Sequence, residues 1–261
     1  MWQINHYPKD NPYNYFKQMN KKSNQQLNKK RIVFVGDSLT HGNLSVNYIN
    51  ILATKLGTEN FDYINAGMNS ELAYNVNNRI ESVIAIKPDF ITILIGTNDA
   101  HRELGLFDDK ESEKRLALPQ KASKEWFQEN LEEVISKLQK NSNAKIALCS
   151  IPPLGEDPIK EAYQQTITFT KIIKKIASKY EIGYLPVNEI MIEFLKDNPS
   201  EPKYPIEHRI IEEVAMKHFL LGKNFDTISE EYGFSLLTDN IHLNTKGAEI
   251  IANLIEEFIK N

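Results

Sequence analysis

"RIVFVGDSLTHGN", residues 31–43, begins as a strand and then changes character. Arg31 is followed by four consecutive apolar residues, the pattern of a short strand buried on both faces. The chain then passes through Gly36, Asp37 and Ser38 before a helical stretch begins. Taken alone, these residues permit three readings. They form a simple turn capped by Asp37 or Ser38, a loop that holds an anion, or a nucleophile raised to the top of a sheet.

Outward from this stretch, apolar runs alternate with helical patterns. Strands are expected at residues 32–35, 61–65, 90–95, 145–150 and 183–187. The first, third and fourth are apolar on both faces, as a parallel sheet covered by helices requires. One helix is expected to be capped by Ser70 and to run to about Ile86, stopped by Pro88. Another is capped by Ser123, with Phe127, Leu131, Val134, Ile135 and Leu138 on one face. A third is opened by Pro158, and a last one follows Asn244 with Ile250, Ile251, Leu254, Ile255 and Phe258 as its stripe. This alternation implies an α/β fold: a three-layer α/β/α sandwich on a five-stranded, mostly parallel sheet. The main domain is expected over residues 31–261, with insertions near 100–122 and 196–237, the second containing a helical run near 206–221. Residues 1–30 read as an N-terminal arm, pinned in part by Trp2, Tyr13, Tyr15 and Phe16.

The totals agree with one generous core: 261 residues, 41% hydrophobic and 25% charged. A net charge of -4 supplies no broad basic field for nucleic acid. The run "LLGKNFDTISEEYGF" has helix-turn-helix spacing, but its acidic Glu230 and Glu231 argue against DNA. Cys149 is alone, so no internal disulfide forms, and it reads as a buried strand thiol. No window approaches the roughly 18 apolar residues of a membrane helix, and the first 30 residues lack a signal-peptide core. The expectation is a soluble, cytoplasmic protein without integral membrane association.

Ligands of an open parallel sheet bind beyond the carboxyl ends of its strands. The first three strands deliver "GDSLTHG", "NAGMNS" and "GTNDAH" to that edge. A further polar cluster, "TDNIHLN" at 238–244, puts Asp239 three residues ahead of His242 directly before the last helix. Ser38 is a weak nucleophile unless a base takes its proton, and the near-neutral imidazole of His242 suits that task. Asp239, one turn away, can hold the other ring nitrogen. Attack on an ester carbonyl creates an oxyanion, for which Ser38 N–H, Gly67 N–H and the Asn98 amide are candidate donors. Asp37 and Asp99 read as holders of backbone N–H groups in their loops. Asp37, His41 and His101 are further candidates for substrate contact, with a solvated loop as the plain alternative for the two histidines. A metal held by Asp37, His41, Asp99, His101, Asp239 and His242 is a competing reading, but the spacings match no common metallohydrolase pattern.

These four blocks resemble, in order and spread, the signature of the SGNH or GDSL-type hydrolase family. "GDSLTHG" matches the nucleophile block with Ser38, and "NAGMNS" supplies the glycine, Gly67. "GTND" matches Gly-x-Asn-Asp with Asn98, and "DNIHLN" matches Asp-x-x-His with Asp239 and His242. Any single block is weak; four in order are specific. The resemblance covers roughly residues 31–260. It implies a flavodoxin-like sandwich and a serine esterase acting on a carboxylic or thio ester through an acyl-enzyme, without metal or organic cofactor. Small-molecule, lipid or glycan esters are the implied substrates. Acyl transfer to an alcohol at the same site is the alternative.

Overall fold

The computed structural model describes residues 29–106, 114–208 and 210–261. Trp2, Tyr13, Tyr15 and Phe16 of the expected arm lie outside the described residues, as does Phe107 of the first expected insertion.

Five strands form one all-parallel sheet: β1 (Lys30–Gly36), β2 (Phe61–Gly67), β3 (Phe90–Leu94), β4 (Lys145–Cys149) and β5 (Gly183–Leu185). Their spatial order is β2-β1-β3-β4-β5, so β3 is central between β1 and β4, and β1 and β3 are buried on both faces. Between and after them lie α1 (Ser38–His41), α2 (Tyr48–Leu56), α3 (Ala73–Ile84), α4 (Thr97–Glu103), α5 (Lys124–Asn141), α6 (Glu161–Lys179), α7 (Val187–Asp197), α8 (Ile211–Phe219), α9 (Phe225–Tyr232) and α10 (Thr245–Lys260).

Side chains of a strand alternate between faces, and β1 shows the consequence. Ile32 and Phe34 enter one buried cluster with Leu52 of α2, Met191 of α7, Ile228 of α9 and Ile251 of α10. Val33 and Val35 enter a second cluster with Val76 of α3, Leu131 of α5 and Ile173 of α6. Helices therefore cover both faces, as the apolar strands require. The run with helix-turn-helix spacing becomes the turn after α8 and then α9. The inner face of this pair, Val214 of α8 with Phe225, Ile228 and Tyr232 of α9, packs into the first cluster. Cys149 is a free, buried thiol of β4, and burial pushes its pKa up to about 12. Among the described residues no helix is long and apolar enough to cross a membrane.

Four local expectations need correction. Ser70 does not cap α3: its φ of 66° puts it in a turn, and the helix starts only at Ala73. There the Asn75 side chain reaches back to accept the Leu72 N–H at 3.1 Å, doing from inside the helix what Ser70 was expected to do from outside. Pro158 precedes α6 by a turn in which Asp157 Oδ1 accepts the Ile159 N–H at 3.1 Å, so the helix opens at Glu161. The fifth strand stops at Leu185, because Pro186 lacks an N–H and forms the N-cap of α7. The helical run near 206–221 is shorter, Ile211–Phe219. Ser123 caps as expected, accepting from Trp126 N at 3.1 Å, and Asn244, which the last helix was expected to follow, caps it by accepting from Gly247 N at 3.0 Å.

Candidate active site

The carboxyl edge of the sheet gathers the polar blocks. After β1, Asp37 caps α1 by accepting the Leu39 N–H on Oδ1 at 3.0 Å, which leaves Ser38 as the first helical residue. Ser38 is half-buried, whereas Asp37 is fully buried. The end of β2 lies directly against α1. A Cβ on Gly67 would stand 2.3 Å from His41 N and 2.6 Å from the Thr40 carbonyl carbon, so any side chain there displaces the helix. Asn65 ties the two together. Its Nδ2 donates to the Thr40 and His41 carbonyls at 2.9 Å and 3.2 Å, while its Oδ1 accepts the Gly67 N–H at 2.9 Å.

After β3, α4 presents Asn98 between the first two blocks. Its Nδ2 donates to Asp37 Oδ2 at 3.3 Å and to the Glu71 carbonyl at 3.1 Å. Asp99 accepts the Ala73 N–H at 3.2 Å, so it also fastens the start of α3. Beneath these loops runs a buried ion pair, Arg79 Nε to Glu71 Oε2 at 2.8 Å, and Arg79 Nη2 also donates to the Ala66 carbonyl at 2.8 Å.

The late block closes on the first. Leu237 and Leu243 form an antiparallel bridge, and Thr238 N donates to the His242 carbonyl at 2.7 Å, making a tight loop around Asp239. Asp239 Oδ1 accepts the Ile241 and His242 N–H groups at 3.0 Å and 2.8 Å. Its Oδ2 lies 2.7 Å from His242 Nδ1. On the far side of the ring, His242 Nε2 lies 3.0 Å from Ser38 Oγ, across 204 residues of chain. The carboxylate can only accept, so Nδ1 carries the proton and Nε2 is left to accept from the serine hydroxyl. Contacts from Leu243 N to Ser45 Oγ at 2.9 Å and from Val46 N to the Leu243 carbonyl at 2.9 Å lock the two loops together.

The electrostatics follow burial. Burial pulls the His242 imidazolium down, but the charge and hydrogen bond of Asp239 and the charge of Asp37 outweigh it, so its pKa lies above the ordinary value. His41 is pushed down to about 4, by burial and then by the His242 charge. Burial raises Asp37 to about 7 and Asp99 to about 8, and lifts Glu71 despite its Arg79 partner. His41 and His101 are both buried, so neither sits in a solvated loop. Among the described residues no group of three or more His, Cys, Asp or Glu side chains is arranged to hold a metal ion. Asn65 and the Glu71–Arg79 pair did not stand out in the sequence; their only trace is position, Asn65 two residues ahead of Gly67 at a strand end.

A parallel sheet covered on both faces, with a hydroxyl, an imidazole and a carboxylate in hydrogen-bonded series at its carboxyl edge, defines the class: an α/β/α fold with its candidate site at the strand ends. The chain belongs to the GDSL-like lipase/acylhydrolase family, whose model matches residues 34–250, and it is a carboxylic ester hydrolase. No curated protein matches it. Several solved structures share the fold. One is the acetyl xylan esterase AlAXEase, at 21% identity over 87% of this chain and 98% of that one, with a TM-score of 0.62. A catalytic mutant of Axe2, an acetylxylan esterase from Geobacillus stearothermophilus, shows 17% identity over 89% and 94%, also at 0.62. LAE5, an alpha/beta hydrolase enzyme from the metagenome of Lake Arreo, Spain, shows 15% identity over 88% and 95%, again at 0.62.

Proposed function

We propose that the protein hydrolyses short-chain acyl esters, acetylated saccharides foremost, by a serine mechanism. Ser38 Oγ attacks the acyl carbonyl while His242 Nε2 takes its proton. Asp239 keeps the imidazole in the required tautomer and stabilises the imidazolium. His242 then protonates the departing alcohol, and a water activated by the same nitrogen releases the acid from the acyl-enzyme. Ser38 N–H, Gly67 N–H and Asn98 Nδ2 are the oxyanion donors, the Gly67 N–H being shared with Asn65 Oδ1. The observation that carries this reading is the unbroken series Ser38 Oγ to His242 Nε2 at 3.0 Å and His242 Nδ1 to Asp239 Oδ2 at 2.7 Å.

The saccharide ester is supported by the fold shared with acetyl xylan esterases. The short acyl group is supported by the same likeness, since the esterases of that fold are named for acetyl xylan. The test is a series of nitrophenyl esters. Rates are expected to be highest for acetate and to fall with chain length. Ser38→Ala is expected to lose ~10⁴–10⁶ in turnover and to resist fluorophosphonate labelling. Asn98→Ala is expected to lose roughly 10²–10³ in kcat with the fold intact. A full-rate Ser38→Ala enzyme would refute the mechanism.

A further inference from the structure

The loop that bears Asp239 and His242 is gripped from an element whose sequence shows no site motif. Beyond β4 the chain runs through Leu154, Gly155 and Glu156. Glu156 is buried, at 5% exposure. Its Oε1 accepts the Leu236 and Leu237 N–H groups at 2.7 Å and 2.8 Å, and its Oε2 accepts the Ser235 N–H at 2.8 Å. Three successive backbone donors thus converge on one carboxylate. The neighbouring Gly155 N donates to the Asn240 carbonyl at 2.8 Å. Asn240 itself holds a left-handed φ of 72°, a conformation that needs outside support in a non-glycine residue. The segment is therefore held on both sides of Asp239, immediately before Thr238 and again at Asn240.

Hydrogen bonds to an ionised acceptor are roughly twice as strong as neutral ones. A bare run of three N–H groups has no strand beside it to satisfy it, and a buried carboxylate answers all three at once. We propose that Glu156 is a positioning residue for the reaction, holding the Asp239–His242 loop so that Nε2 stays in line with Ser38 Oγ. The proposal rests on the serine mechanism above. Glu156 touches neither His242 nor Ser38, and its charge is not among the influences that shift His242, so its effect is geometric.

Glu156→Gln keeps the shape but turns one acceptor into an NH₂ group facing an N–H. A displacement of about 1 Å at the reacting atoms can cost on the order of 10²-fold. The experiment compares wild type, Glu156→Gln, Glu156→Asp, His242→Ala and Ser38→Ala on nitrophenyl acetate. It also follows the rate of fluorophosphonate labelling of Ser38, all well below each variant's unfolding transition. Expected for Glu156→Gln is a 10- to 10²-fold loss of kcat, KM within two-fold of wild type, and a matching loss in labelling rate. Glu156→Asp, which keeps the charge, recovers part of both, and it carries the test alone where the Gln variant does not fold. A wild-type kcat and labelling rate in a variant with only a lowered Tm means a purely structural brace and overturns the proposal, as does a loss confined to KM. Failure of the underlying mechanism reads differently: Ser38→Ala or His242→Ala then remains active whatever Glu156 does.

Discussion

His242 is subject to opposing influences, and their balance sets the working pH range. Burial favours the neutral ring; Asp239 and Asp37 favour the imidazolium and prevail, so the pKa stands above its ordinary 6.5. A base must be neutral to accept the Ser38 proton, so activity is expected to fall on the acid side with a midpoint above pH 6.5. Asp37→Asn removes the negative charge that Asp37, itself raised to about 7, takes on beside the ring in this range, and is expected to move that midpoint to lower pH, read from kcat/KM profiles of the two enzymes. His41 adds no second limb in this range, because burial keeps it neutral down to about 4. The residues of this balance were legible in the sequence because each falls in a short local block, Asp37 and His41 after the first strand and Asp239 and His242 directly before the last helix. The partner of the Asn98 amide was not. That it bridges Asp37 Oδ2 and the Glu71 carbonyl depends on the direction of a loop side chain, which no spacing encodes.

At the scale of elements, the site depends on how closely the four-residue α1 lies against the end of β2. Asn65 clasps the Thr40 and His41 carbonyls, and Gly67 leaves no room for a side chain. Gly67→Ala must push backbone rather than a flexible tip. It is expected to cost about 1–3 kcal/mol of stability, as overpacking does, measured by urea unfolding. Because the displaced backbone is the helix that begins at Ser38, kcat is expected to fall by at least ~10²-fold. The strands were readable because a buried parallel strand is a plain apolar run. Three helices, α2, α4 and α7, were not. α2 stands between the motif-bearing loop and β2 with no strong start signal beyond Asn47, whose Oδ1 accepts the Ile49 N–H at 2.9 Å. In α7 the apolar run continues from β5 across Pro186 without a polar break, so strand and helix merge in the pattern. Ser70 shows the converse error: a good capping residue set in a left-handed turn, with the helix anchored instead by Asn75.

For the molecule as a whole, two apolar half-cores meet the sheet from opposite faces, and the carboxyl edge where they end is rich in buried acid. Asp37 and Asp99 are fully desolvated, and burial holds their pKa values at about 7 and about 8 against an ordinary 3.8. This reverses the usual contribution of a carboxylate to stability. Between pH 3.8 and about 8 the folded chain keeps a proton on Asp99 that the unfolded chain releases. With more protons bound in the folded state, stability decreases as pH rises across that window, and the contribution is complete only below the unfolded value. The amide introduced by Asp99→Asn has no proton to lose, and its oxygen can still accept the Ala73 N–H that Asp99 holds at 3.2 Å. The Tm of Asp99→Asn is therefore expected to gain on that of wild type as pH increases, by at least about 2 °C between pH 5 and pH 8, since 1 kcal/mol moves Tm by roughly 2–4 °C at this chain length. Asp37 titrates with the same sign in both proteins, so only its repulsion with Asp99 enters the difference, and that repulsion acts in the same direction. A Tm gap that stays constant across the range would mean that Asp99 is ionised in the folded protein, and that the Ala73 N–H and Arg102 hold its charge against desolvation.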